Sequence, residues 1–141
     1  MDKEATTRLE EVFLESRSRC LNNQKYPSFY QEFYSRLIQK LPQGAELFAS
    51  VEHETRKNML DQALNLLDST ENVLANDQLR EYWFTLSSRH HDLGLNPKDY
   101  DVWFQTLMSV VRNYDPEINN EIENAWRFYL DSCIRIMKIV Y

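Results

Sequence analysis

Only two glycines and four prolines occur in 141 residues. A many-stranded β fold needs frequent turns and draws them largely from those two residue types, so their scarcity argues against one. Cysteine is equally sparse. Cys20 and Cys133 have no framework spacing and follow no secretory leader, so they are expected as two reduced thiols in a cytoplasmic protein. No apolar run approaches the ~20 residues of a membrane span. Basic residues are outnumbered 16 to 22, a net charge of −6, which removes the electrostatic footprint of a nucleic-acid or anionic-membrane partner.

What the chain does have is aromatic side chains, 13% of all residues, and most fall inside segments of helical period. Leu9, Val12, Phe13 and Ser16 share one face of a helix expected over about Lys3 to Leu21, which Asn22 and Asn23 interrupt. A second helix is expected from Pro27, suited to a first turn, to about Lys40, with Tyr30, Tyr34, Leu37 and Leu41 in its stripe. Pro42 and Gly44 then turn the chain into a short segment ending at Phe48. A third long helix, about Glu52 to Leu67, packs through Met59, Leu60, Ala63, Leu64 and Leu67, and Asp68 to Asp77 reads as a polar connection.

The next helix carries Leu79, Trp83, Leu86 and His90 at i, i+4, i+7 and i+11, and Gly94 marks its end. Asn96, Pro97 and Asp99 signal a helix start, with that helix running to about Tyr114. Asp115-Pro116-Glu117 repeats the signal before a last helix bearing Ile118, Ile122, Ala125, Trp126, Tyr129, Cys133, Met137 and Val140. The pattern predicts one all-α domain over residues 1–141 with six or seven helices. His90 ends an apolar stripe, so its imidazole meets a backbone carbonyl in the core, lies at the surface, or offers a neutral nitrogen to a metal in a dry cavity.

A wider constellation surrounds that histidine. Arg89-His90, Gly94-Leu95, Pro97 and Tyr100 have the spacing of one segment; Phe33-Tyr34, Pro42 and Phe48 form another. Ser18-Arg19-Cys20, Tyr100 to Trp103, Asp115-Pro116-Glu117 and Ala125-Trp126-Arg127 follow in order. Taken together, this arrangement resembles bacterial single-domain globins and the globin domain of flavohaemoglobins over nearly the whole chain. The resemblance implies a globin fold around a pocket for haem b, iron protoporphyrin IX.

It also implies roles. His90 matches the proximal ligand of the haem iron, whereas its neighbour His91 lies about 100° round the helix and is the weaker candidate. Phe48 matches the phenylalanine that stacks on haem, and its other reading is plain core. Tyr34 matches the distal tyrosine that donates to bound dioxygen; the alternative is a hydroxyl satisfied by a backbone carbonyl. On the third helix, Met59-Leu60 is preceded by Arg56, or by Thr55 if the register slips, so Leu60 or Met59 would lie over the iron. Arg56 could donate to a ligand, pair with a propionate or point into water. The sixth-ligand candidates are Arg56, Thr55, Tyr34 and His53, with a surface position the other reading of His53. Leu95 and Phe104 complete the implied lining. Tyr100 matches a tyrosine that joins a glutamate behind the proximal histidine in flavohaemoglobins. Here the pattern breaks, because no glutamate follows Glu123, which puts peroxidase-like activation in doubt.

The expected function is reversible binding of dioxygen, nitric oxide or carbon monoxide. Nitric oxide oxidation would require a separate reductase, since no nucleotide-binding glycine motif is present. The alternative is a haem-based gas sensor acting through a separate partner, and a haem-free globin-like signalling domain or plain helical bundle is the third reading. Oligomeric state has no signature here.

Overall fold

Apolar residues spaced three and four apart must share a buried face, and seven helices result among the described residues. The computed structural model describes residues 3–67 and 77–138. The helices are α1 (Lys3–Leu21), α2 (Phe29–Lys40), α3 (Gly44–Phe48), α4 (His53–Leu67), α5 (Asp77–Asp92), α6 (Pro97–Tyr114) and α7 (Asn120–Lys138). The polar connection expected from Asp68 lies outside the described residues up to its last member, Asp77, which opens α5; Val140 lies outside them too. No strand occurs among the described residues, and none of the helices is long and apolar enough to cross a membrane.

Two helix starts differ from expectation, each because the first backbone N–H groups of a helix need acceptors. In α2 Pro27 is not a first-turn residue. Ser28 caps instead, its hydroxyl accepting from the Gln31 N–H while the Gln31 side chain accepts from the Ser28 N–H. In α7 the start slips from Asp115 to Asn120. Asn119 Oδ1 accepts from the Ile122 N–H at 2.9 Å, while Asp115 caps only the turn that follows it, accepting from the Glu117 N–H on its side chain and from the Ile118 N–H on its carbonyl. For α6 the signal holds: Asn96 and Asp99 form a reciprocal cap around Pro97.

Asp115 sits where α1, α6 and α7 converge. Its buried carboxylate accepts from Arg19 Nε and Nη2 at 2.7 and 3.0 Å and from the Ser16 hydroxyl at 2.6 Å. Ser16, wholly buried on the apolar stripe of α1, accepts in turn from Trp126 Nε1 at 2.8 Å. Phe13 packs on Trp126 and Tyr129 with centroids 4.9 and 4.7 Å apart. Segments nearly a hundred residues apart are thereby tied together around one charge.

Burial alone would raise the Asp115 pKa, but bonds from Arg19, Ser16 and the Glu117 N–H outweigh it and hold the carboxyl below its ordinary value. A depressed native pKa contributes stability above the unfolded carboxylate range, near pH ~4, that fades as pH falls toward the native pKa. Urea midpoints should therefore fall between pH 5 and pH 2 more steeply for the wild type than for Asp115→Asn, which has no such proton to take up.

α3 is set by a close approach. A Cβ on Gly44 would stand 2.3 Å from the Ile38 carbonyl oxygen and 2.8 Å from its Cα, both backbone atoms of α2. Gly44→Ala must push α3 off α2, and overpacking of this kind costs about 1–3 kcal/mol. The loss should appear in urea unfolding, together with a changed environment for Phe48 at the far end of α3.

Candidate functional site

A cavity of about 430 Å³ opens between α2, α4, α5, α6 and α7, within the range of small-molecule and cofactor sites. His90 enters it from the last turn of α5. That turn ends as a Schellman motif: Gly94 takes φ +87°, its N–H donates to the His91 carbonyl, and the Leu95 N–H reaches the His90 carbonyl. Gly94 is required there because an L side chain resists that backbone region. The chain reverses directly beyond His90, and Leu95 returns to line the same cavity.

The His90 ring is oriented by its own helix. Nδ1 lies 2.8 Å from the Leu86 carbonyl oxygen. A carbonyl only accepts, so Nδ1 carries the proton and the neutral ring keeps its lone pair on Nε2. This is the tautomer a metal ligand needs, and the bond to the carbonyl fixes the ring's orientation. Tyr100 packs at 6.4 Å between ring centroids. Among the described residues no three of His, Cys, Asp and Glu gather into a metal site. One imidazole in an apolar hole suits a metal that brings its other ligands with it.

The opposite wall comes from α2, α3 and α4. Tyr34, Leu37, Leu41, Phe48, Leu60 and Ala63 contribute to it. The Tyr34 and Phe48 rings meet edge to face at 5.4 Å. Tyr34 is 6% exposed and its hydroxyl makes no hydrogen bond among the described residues. Burial pushes its phenol well above the ordinary value; Arg56 draws it back in part and Asp61 adds to the rise. The phenol therefore stays protonated and can donate.

Of the nine pocket residues expected from sequence, Tyr34, Phe48, Met59, Leu60, His90, Leu95 and Tyr100 line this cavity. Met59 does so from the rim, 41% exposed, while Leu60 is buried beside it. Arg56 and Phe104 do not line it. Arg56 Nη2 donates to the Phe48 carbonyl at 2.7 Å and its guanidinium stands 5.8 Å from the Phe48 ring centroid, so it braces that ring from behind. Phe104 packs against the core. Thr55, His53 and His91 are exposed. Tyr34 is therefore the one sixth-ligand candidate that reaches the cavity.

Sequence reasoning left other lining residues unnamed. Cys133, Ile134 and Met137 of α7 line the cavity as well; their stripe reads as ordinary core because core and cofactor contacts demand the same apolar face. Burial pushes the Cys133 thiol up to about 12, so it stays protonated. Asp99 and Trp83 also line the cavity, and the buried Trp83 Nε1 has no hydrogen-bond partner among the described residues. Such an orphaned donor has no evident partner in a packed core, where buried donors are nearly always matched. The donor set, one neutral imidazole facing apolar and aromatic walls, fits a large planar metal macrocycle.

Comparison with known proteins agrees with this geometry. A sequence model of the Globin family matches residues 31–137. The crystal structure of a Pseudomonas aeruginosa PAO1 protein, described as structurally highly homologous to a human haemoglobin, superposes with a TM-score of 0.78. It is 22% identical in sequence, and the match covers 94% of this chain and 98% of that one. A search of curated proteins finds no match.

Proposed function

The chain belongs to the globin family, whose membership implies a haem cofactor, and from that premise we propose that the cavity holds haem b and takes diatomic gases reversibly. The observation that carries this reading is His90: it borders an apolar cavity with Nδ1 committed to the Leu86 carbonyl, leaving Nε2 as the ligating nitrogen. Haem supplies an iron that binds dioxygen, nitric oxide or carbon monoxide reversibly. Everything else is the chain's work. Phe48, held by Arg56, offers an aromatic edge to the macrocycle. Leu37, Leu60 and Ala63 keep water from the gas-binding side, and Leu95 covers the opposite side. Tyr34 directs a phenol hydrogen into the gas-binding space, where it can donate to an oxygen atom that gains negative charge.

Oxidation of nitric oxide belongs to this proposal as a reaction in which a separate reductase returns the electrons consumed. Two buried, unlinked thiols suit the reducing cytoplasm as the working compartment. The test is direct: purified protein incubated with haemin should retain one haem per chain after gel filtration, by pyridine haemochrome, with a five-coordinate ferrous spectrum that carbon monoxide converts. Failure to retain stoichiometric haem leaves a haem-free member of the globin fold and overturns the gas-binding reading.

A further inference from the structure

We propose that Ser87 is a positioning residue for His90: its hydroxyl, bonded to the Met137 carbonyl of α7, fixes α5 lengthwise and so sets the strain on the bond between His90 and a haem iron. This inference rests on the haem reading above.

Hydroxyls inside helices usually turn back on their own helix, and here Thr106 bonds the Val102 carbonyl, Ser109 the Thr106 carbonyl and Ser132 the Phe128 carbonyl. Ser87 does not. It is wholly buried and donates across to α7, 2.6 Å from the Met137 carbonyl oxygen. That carbonyl lies in the last described turn of α7 (Asn120–Lys138), where helix carbonyls run short of intrahelical N–H partners. One side chain of α5 thus bonds a backbone acceptor on another helix, and both partners are shielded from water.

The placement makes this bond a register pin. Trp83, Ser87 and His90 follow one another at i, i+4 and i+7, on one face of α5, and Trp83 and His90 both border the cavity. α7 is anchored independently, through Trp126 and Tyr129 on Phe13 of α1. Met137 is therefore a fixed point, and a helix is stiff enough that a slide of α5 along it moves the imidazole by the same amount. Without the hydroxyl, the buried carbonyl loses this bond, and α5 loses the one polar tie that Ser87 makes to α7.

The experiment is resonance Raman spectroscopy of the ferrous, ligand-free, haem-loaded protein, with haem transfer to an excess apoglobin acceptor measured alongside. Ser87→Ala should move the iron–histidine stretching band and speed haem loss about five-fold, the factor expected for one net hydrogen bond. Ser132→Ala, which removes a hydroxyl from α7 without touching α5, should move neither. If Ser87→Ala does not fold, Ser87→Cys keeps the volume with a weaker donor and must shift the band in its place. A wild-type band that the Ser87 variant leaves unmoved overturns the positioning role alone. Haem-loaded wild type with no iron–histidine band overturns the ligand assignment of His90 and this inference with it.

Discussion

Replacing His90 with alanine is expected to accelerate haem loss by at least ~100-fold, the largest effect of any single substitution. Removing groups that merely orient a metal ligand costs about 10–100-fold in metal affinity, so removing the ligand itself should cost no less. The geometry offers no substitute. His91 and His53 are exposed, and Met137 and Cys133 line the cavity, the latter as a protonated thiol. The substitution is also structurally mild. His90 joins the Schellman motif only through its backbone carbonyl, which accepts from the Leu95 N–H, so replacing the side chain leaves the backbone bonds of that turn intact. Far-ultraviolet circular dichroism should stay near wild type while the Soret band is lost on gel filtration. Added imidazole should restore the band in His90→Gly. A variant that keeps wild-type haem retention and coordination would remove His90 from the ligand position.

Tyr34→Phe carries the second large effect. A hydrogen bond to a charged acceptor is worth about 1.5–3 kcal/mol, so dioxygen dissociation should rise by about 10–100-fold. Carbon monoxide, which accumulates little charge, should dissociate at nearly the wild-type rate. That contrast separates a donor role from simple loosening of the pocket, since a packing defect would release both gases faster. Burial is the main cause of the raised Tyr34 pKa, so the phenol is protonated throughout ordinary pH. The Tyr34 contribution should therefore be flat from pH 5 to pH 9. Stopped-flow displacement of dioxygen by carbon monoxide at several pH values measures both points. An unchanged dissociation rate would leave Tyr34 with a packing role against Phe48 only.

Much of the fold was legible because helical period is local. The stripes of α1, α4 and α6 fall where their apolar residues recur, and the reciprocal cap of Asn96 and Asp99 operates within four residues. The proximal turn was legible for the same reason, since a glycine four residues after His90 dictates a left-handed stop. The two misplaced helix starts show the limit. Asp115 before Pro116 carries a sound local signal and does accept from the Glu117 N–H, yet the bond closes a turn and the helix starts only after Asn119. Pro27 fits a first turn, yet Ser28 supplies what the N–H groups need. Arg56 is a further case: a helical arginine has several outcomes open to it, and the nearby Phe48 carbonyl selects one.

Residue spacing by itself determined that this chain makes helices, which faces they bury, and that an imidazole ends one of those faces. Only the tertiary structure decided that Tyr34, Phe48, Leu60 and His90 border one cavity, that Arg56 stands behind it, and that Ser87 joins α5 to α7. The division has a physical cause. Period and capping are bonds between neighbours in the chain, satisfied within a turn or two. A cavity is a gap left among helices whose contacts are made across the whole sequence, and which polar group fills or faces it depends on what every other helix has already satisfied.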